Sequence, residues 1–345
     1  MEIKTWQPFE QLDVAVDLGA VPKPLPDMVW LEEFTATPPI CPPQLVRGLL
    51  HQGCKMILGG TSKSNKSWCL LDLALSVASG KPWWGLDCHA APVVYVNFEL
   101  QPWALQERLR ALRHARPEVA EAGRNLALWN LRGRNADITL LRPKLEEHLS
   151  RHKFGLIIID PAYKVLGNRD ENANGEIADL MNQFEELAQS SGAAVVVAHH
   201  FAKGDSTAKS AIDRMSGAGA WARDPDTIMI LTPHEEDGAF TVSTILRNLP
   251  QLPDFVVAWD YPLMRLAADL NPDALRRPQA KNKVCTDHEF MEAVLTDDAK
   301  AFGRIALDAK QCLNMGKTSA FRYLSRLVSA GLVTTSAGVY WRAKI

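Results

Sequence analysis

The sequence predicts an α/β protein: a parallel sheet covered by helices on both faces, followed by a small C-terminal module of three helices and a hairpin. Three observations predict it. From Lys55 onwards, continuous apolar runs of strand length alternate with helical patterns, as parallel strands buried on both faces require. Two of these runs, residues 154–159 and 192–198, end in polar residues, Asp160 and the pair His199-His200. A loop, Gly60-Thr-Ser-Lys-Ser-Asn-Lys66-Ser67, joins the first apolar run to the first helical pattern.

The elements follow in chain order. Residues 1–40 are a proline-rich arm with Pro22, Pro24, Pro26, Pro38 and Pro39, and with Pro42 and Pro43 just beyond; such a segment excludes long helices. It is expected to be extended and to end in a short helix near residues 43–50. Residues 41–270 form the main domain. Its first strand is expected at 55–58 and its first helix at 67–78, where Leu70, Leu71, Leu73, Ala74 and Val77 make an apolar face before Gly80-Lys81-Pro82 stops it. A strand at 92–98 carries Glu99 at its C-terminal end, and a helix bearing Leu105, Leu109 and Leu112 follows. Further strands are expected at 126–131, 154–159 and 192–198, with helices at 144–152 and 176–190. Runs at 227–232, 240–246 and 255–259 have short connections and are expected to form an antiparallel extension. Residues 271–283 are polar and basic with two prolines, the composition of a linker. Within 284–345, helices are expected at 288–295, 302–307 and 318–330, and strands at 331–335 and 339–342 flank a turn at Ser336-Ala337-Gly338. Three helices followed by a hairpin make a winged helix.

The 345 residues are 47% apolar and 23% charged, ordinary for a globular chain with a substantial core. A formal net charge of −2 neither indicates nor excludes a nucleic-acid partner, because a groove can be locally basic. Six cysteines show no C-x-x-C or zinc-knuckle spacing, and the N-terminus has no signal-type segment. No apolar run is long enough to span a membrane. A cytoplasmic protein with reduced thiols is the expectation.

The loop carries the chemistry. Strand, glycine-bearing loop and helix, in that order, aim backbone N–H groups at phosphates. Gly60, Thr61, Ser62, Lys63, Ser64, Asn65, Lys66, Ser67 and Trp68 form the expected nucleotide-binding set. Lys66 would reach the β/γ oxygens, and the Ser67 hydroxyl would take a place on Mg²⁺. Asn65 stands where G-x-x-x-x-G-K-[ST] has its second glycine; Asn tolerates the left-handed backbone which that position needs. Ligands of open parallel sheets bind beyond the carboxyl ends of the strands. There Asp160 matches a Walker B aspartate in the Mg²⁺ shell, and Glu99 is the candidate general base, since Pro161 follows Asp160 directly. His199 or His200 would sense the γ-phosphate, the alternatives being a zinc ligand, for which no partner stands at zinc spacing, or a packed core histidine. In the polar stretch after them, Lys203 and Lys209 line either a nucleic-acid channel or a solvated loop.

This order of phosphate loop, strand-end glutamate, Walker B aspartate and strand-end histidine resembles the RecA/DnaB-type ATPases, and within them the RepA-like group of plasmid replicative helicases. Met56-Ile-Leu-Gly-Gly-Thr61, Lys66-Ser-Trp-Cys-Leu-Leu-Asp-Leu-Ala-Leu-Ser-Val-Ala-Ser-Gly-Lys-Pro-Trp83 and Val94-Tyr-Val-Asn-Phe-Glu-Leu100 carry the resemblance, which spans about residues 40–265. It implies a RecA-like core binding ATP and Mg²⁺, a homo-oligomeric hexameric ring with ATP between subunits, and an arginine finger from the neighbour. Arg247, in Thr244-Ile-Leu-Arg-Asn-Leu-Pro250, is at the matching position. Ile245 departs from the lysine of many ring helicases, and Arg223 is the reserve finger.

At the C-terminus, residues 316–333 are similar to the recognition helix and first wing strand of winged-helix proteins. Ala320, Leu324, Leu327 and Val328 would face inward, leaving Lys317, Thr318, Ser319, Arg322 and Arg326 for DNA. Protein docking is the alternative, and Tyr340 and Trp341 are expected in the hairpin core. Three functions fit: a ring motor on single-stranded DNA for replication of a plasmid, phage or mobile element; an ATP-dependent switch binding duplex DNA; or a small-molecule kinase, which the winged helix disfavours.

Overall fold

The computed structural model describes residues 26–134, 137–200, 219–276, 285–313 and 315–343. The chain divides into two compact units, Met1–Pro42 and Pro43–Ile345. The first contains α1 (Leu31–Thr35), around which Met28, Trp30, Leu31 and Phe34 are exposed.

The second unit begins with β1 (Gln44–Val46) and β2 (Leu50–His51), an antiparallel pair where a short helix was expected. Leu45, Val46, Leu49 and Leu50 recur at helical spacing, yet Gly48 takes φ 74° and reverses the chain, so the hairpin buries all four. Next come β3 (Lys55–Gly60), α2 (Lys66–Ser79), β4 (Val93–Asn97), α3 (Pro102–Ala115), β5 (Leu126–Asn130), α4 (Ile138–Arg151), β6 (Leu156–Asp160), α5 (Asn174–Ser191) and β7 (Ala194–His200). After α6 (Ala220–Arg223) the chain forms β8 (Thr227–Pro233), β9 (Ala239–Leu246), β10 (Phe255–Asp260) and β11 (Leu263–Leu266). Helix α4 starts six residues before its expected position: Asp137 accepts the Thr139 N–H as N-cap, and Pro143 falls inside the helix.

These strands make one nine-stranded sheet in the order β11-β10-β9-β8-β3-β7-β6-β4-β5. From β8 through β5 every neighbouring pair is parallel. β8 was expected in the antiparallel extension; it runs parallel to β3 and antiparallel to β9, and is therefore the turning point of the sheet. The connection from β7 to β8 is long enough for a crossover, which a parallel neighbour requires. Alternation along the strands feeds two cores. Met56, Leu58, Tyr95, Ile158 and Val196 face α2 and α3, whereas Ile57, Val94, Val96, Ile157 and Val195 face α4 and α5. Each fully buried Leu or Ile contributes about 1.5–3 kcal/mol, so the sheet's carboxyl edge stands on a rigid base.

Of the segment expected as a linker, Asn271–Arg276 is tied to the sheet: Glu235 N–H donates to the Ala274 carbonyl and the Thr241 hydroxyl to that of Pro272. Residues 277–284 lie outside the described residues. Beyond them α7 (Asp287–Val294), β12 (Lys300–Ala301), α8 (Phe302–Leu313), α9 (Lys317–Ser329), β13 (Val333–Ser336) and β14 (Val339–Arg342) surround their own core of Phe290, Val294, Ile305, Ala309, Ala320, Leu324 and Leu327. A Thr286–Glu289 capping box starts α7, and Ala337 and Gly338, both at positive φ, form the two-residue turn between β13 and β14. Among the described residues no helix is long and apolar enough to cross a membrane.

Candidate nucleotide site

β3, β4, β6 and β7 are parallel, so their carboxyl ends share one edge of the sheet. Register places Gly60 beside His200 and Asn97 beside Asp160. A cavity of about 340 Å³ opens there, lined by Ser62, Lys63, Ser64, Asn65, Lys66, Ser67, Trp68, Glu99, Leu100, Arg108, Asp160 and His200. That volume falls in the range of small-molecule sites.

The loop is held by its own backbone. Asn65 takes φ 58° and ψ 22°, the left-handed conformation that Asn tolerates, and α2 begins at the next residue. Gly60 ends β3 in a space that a side chain could not share: an added Cβ would stand 2.8 Å from Ser64 Oγ and 3.2 Å from Leu231. Lys66 Nζ lies inside the loop, donating to the carbonyls of Gly60 (2.9 Å) and Thr61 (2.8 Å) and to Ser64 Oγ (3.3 Å). Burial lowers the Lys66 pKa to about 8, against the opposing pull of Asp160 and Glu99. A cation caged by carbonyl oxygens beside helical N–H groups is suited to meet an anion of several negative charges.

Asp160 is 2% exposed, and its Oδ2 accepts a 2.6 Å hydrogen bond from the Tyr95 hydroxyl. Burial, then the neighbouring carboxylate, pushes the Tyr95 phenol well above its usual pKa, so it remains a donor. Glu99 is exposed to the cavity, in a bend whose backbone is fixed by Asn97: Asn97 Oδ1 accepts from the N–H groups of Glu99 (3.3 Å) and Leu100 (2.9 Å). The donor set of the Asp160 carboxylate and Ser67 hydroxyl is made of hard oxygens, which suits Mg²⁺. No cluster of three or more His, Cys, Asp or Glu side chains able to hold a metal occurs among the described residues.

The two histidines part company. Alternation turns His199 to the α5 face, where its ring stacks on Trp221 at 4.1 Å and 17°. Burial, with His200 and Lys66 nearby, lowers its pKa to about 3. His200 turns to the other face and lines the cavity, 6.1 Å from the Tyr163 ring. Burial and Lys66 lower its pKa as well.

Arg247 does not reach this cavity. β9 runs antiparallel, so its end, Leu246, pairs with Thr227 at the start of β8, on the opposite edge of the sheet. Gly60 pairs with Leu231, four residues along β8, which separates the two edges by about 13 Å. The exposed Arg247 guanidinium donates to the Arg223 carbonyl, and Arg223 lies at the same edge. Lys203 and Lys209 lie outside the described residues.

Two residues escaped the sequence reading. Arg108 lines the cavity, its guanidinium 4.7 Å from the Trp68 ring, which also packs on Trp259 (5.4 Å) and Tyr261 (5.8 Å). Its signal was available: Leu105, Arg108, Leu109 and Leu112 follow i, i+3, i+4, i+7, so an arginine interrupts an apolar stripe. Tyr95 was a phenol within an aliphatic run.

On α9, Lys317, Thr318, Arg322 and Arg326 are exposed and Ser319 is partly so, while Ala320, Leu324 and Leu327 are buried and Val328 is half-buried against the same core. Two of the cations are engaged within the chain. Arg326 pairs with Asp287 and lies over the Tyr323 ring, and Lys317 lies 5.8 Å from the Phe302 ring. Tyr340 packs against that core.

Among solved structures, the chain is similar to an ATPase domain, with a TM-score of 0.48 and 11% identity, over 62% of this chain and 84% of that one. Residues 21–206, more than half of the chain, match the family described as AAA domain. With its phosphate-type loop, Lys66 and Asp160 on one edge of a mostly parallel sheet, the chain belongs to the AAA domain family.

Proposed function

We propose that this protein is an Mg²⁺-dependent ATPase that acts on DNA as a hexameric ring, in replication of a plasmid, phage or other mobile element. The observation carrying this reading is the cavity in which the loop of residues 60–68, Glu99, Asp160 and His200 converge. In it Lys66 holds the β/γ-phosphates, and Ser67 and Asp160 hold the cation. When bound, Mg²⁺ supplies positive charge at the phosphate oxygens. Glu99, exposed at the cavity, accepts a proton from the attacking water. Of the two histidines we assign the γ-phosphate report to His200; its lining of the cavity supports this reading, as does the stacking of His199 on Trp221. Arg247, on the far edge of its own sheet, completes a site only on a neighbouring copy, so fast hydrolysis requires assembly. The module from residue 284 onwards serves as a winged helix, with Lys317, Thr318, Ser319, Arg322 and Arg326 toward DNA phosphates and bases. Single-stranded DNA would pass through the ring.

The test is ATP turnover by the full chain with and without single-stranded and duplex DNA, together with particle mass with and without nucleotide. A hexamer whose turnover rises with single-stranded DNA is the expected result. Slow turnover with sequence-selective duplex binding would instead identify an ATP-dependent switch, and a monomer indifferent to DNA would overturn both.

A further inference from the structure

We propose that Tyr95 is a positioning residue that holds the Asp160 carboxylate with one oxygen occupied and the other presented to the cation. The assignment rests on the ATP reading above. Tyr95 lies in the middle of β4, fully buried, flanked by Val94 and Val96. In register it pairs with Ile158, while Asp160 is two residues further along β6 on the same face. The phenol therefore spans the diagonal between neighbouring strands, and its hydroxyl reaches Asp160 Oδ2 at 2.6 Å. A carboxylate at a strand end has two free torsions, and this hydrogen bond removes one set of rotamers. Buried beside the α2 core, the ring cannot move without disturbing its neighbours. The hydroxyl also satisfies one oxygen of a carboxylate that is almost excluded from solvent. Nothing in phosphate chemistry demands a tyrosine here, and Phe would fill the same volume. The hydroxyl is explained by what it does to Asp160. Partners that orient metal-ligating carboxylates alter metal affinity by about 10- to 100-fold when removed.

The experiment titrates Mg²⁺ against binding of a fluorescent ATP analogue to the full chain, as wild type, Tyr95→Phe, Asp160→Asn and the double variant, with binding in EDTA as the metal-free baseline. The Mg²⁺ concentration for half-maximal effect is expected to rise about 10-fold or more in Tyr95→Phe, with metal-free binding within about twofold of wild type. In the Asp160→Asn background, Tyr95→Phe should add nothing. A half-maximal Mg²⁺ concentration unchanged in Tyr95→Phe, or metal-free and Mg²⁺-dependent binding lost in parallel, overturns the assignment while leaving the ATP reading intact. A wild-type chain that binds no nucleotide overturns both. Should Tyr95→Phe alone fail to fold, restored folding in the double variant shows the same coupling, and continued failure to fold overturns it.

Discussion

Asn65 offers the sharpest test of how the loop works, because one backbone angle carries the argument. At φ 58° and ψ 22° it stands in left-handed space, where an L-residue with a Cβ loses about 1–2 kcal/mol; Asn is at the low end and β-branched residues at the high end. Its side chain makes no capping bond to α2, and its Nδ2 lies 3.9 Å from Met264 Sδ, a weak contact. Replacing the side chain thus changes little except the backbone preference. Asn65→Gly should stay within about 1 kcal/mol of wild type, relief of strain offsetting the extra freedom of the unfolded chain. Asn65→Val should lose about 1–2 kcal/mol. If the loop relaxes to avoid that strain, the N–H groups leave their phosphate-facing positions, and nucleotide affinity falls by about 5- to 30-fold at about 1.4 kcal/mol per decade. Urea denaturation and titration with a fluorescent ATP analogue measure the two outcomes. A Val variant as stable and as tight-binding as wild type, or a Gly variant as impaired as Val, would refute the left-handed requirement at this position.

Three further outcomes are expected. Glu99→Gln should retain ATP binding and lose about 10²- to 10⁴-fold in turnover, measured as phosphate release; near-normal turnover would place the base elsewhere. Arg247→Ala should lower turnover about 10³-fold or more with single-chain nucleotide affinity unchanged, and mixing it with a Lys66→Ala chain should restore activity; no restoration would argue against donation between copies. His199 bears on acid stability. Its folded pKa, about 3, lies below the unfolded value of about 6.5, so unfolding takes up a proton in between. The stability from keeping His199 neutral is present above pH 6.5 and is lost as pH falls toward 3, amounting to about 2 kcal/mol between pH 7 and pH 5. His199→Phe, which keeps a ring on Trp221, should remove that share of the pH dependence in denaturant titrations, and an unchanged slope would show that His199 does not carry it.

Much of the site was legible because its chemistry is local in sequence. The loop, Asp160 and Glu99 each sit at the end of an apolar run, and a run's end in a parallel sheet is the ligand edge. The left-handed backbone at residue 65 followed from its place in the loop motif, where a glycine is usual and which Asn tolerates. What misled the reading was equally local. Leu45, Val46, Leu49 and Leu50 suit a helix or a hairpin, and Gly48 decided for the hairpin. The short connection after β8 suggested an antiparallel strand, whereas its pairing with β3 depends on partners far away in the chain.

By itself, then, the sequence determined the order of strands and helices from β3 to β7, the phosphate-type loop and the polar residues at the strand ends, since these follow from periodicity and from neighbours a few residues apart. Tertiary structure alone decided which residues share a space. It set His199 against Trp221 and His200 in the cavity, brought Arg108 onto Trp68, joined Tyr95 to Asp160 across two strands, and carried Arg247 to the opposite edge. The Arg108–Trp68 contact depends on how α3 packs beside α2; the others depend on strand register and direction, and a shift of one residue in register moves a side chain to the other face of the sheet.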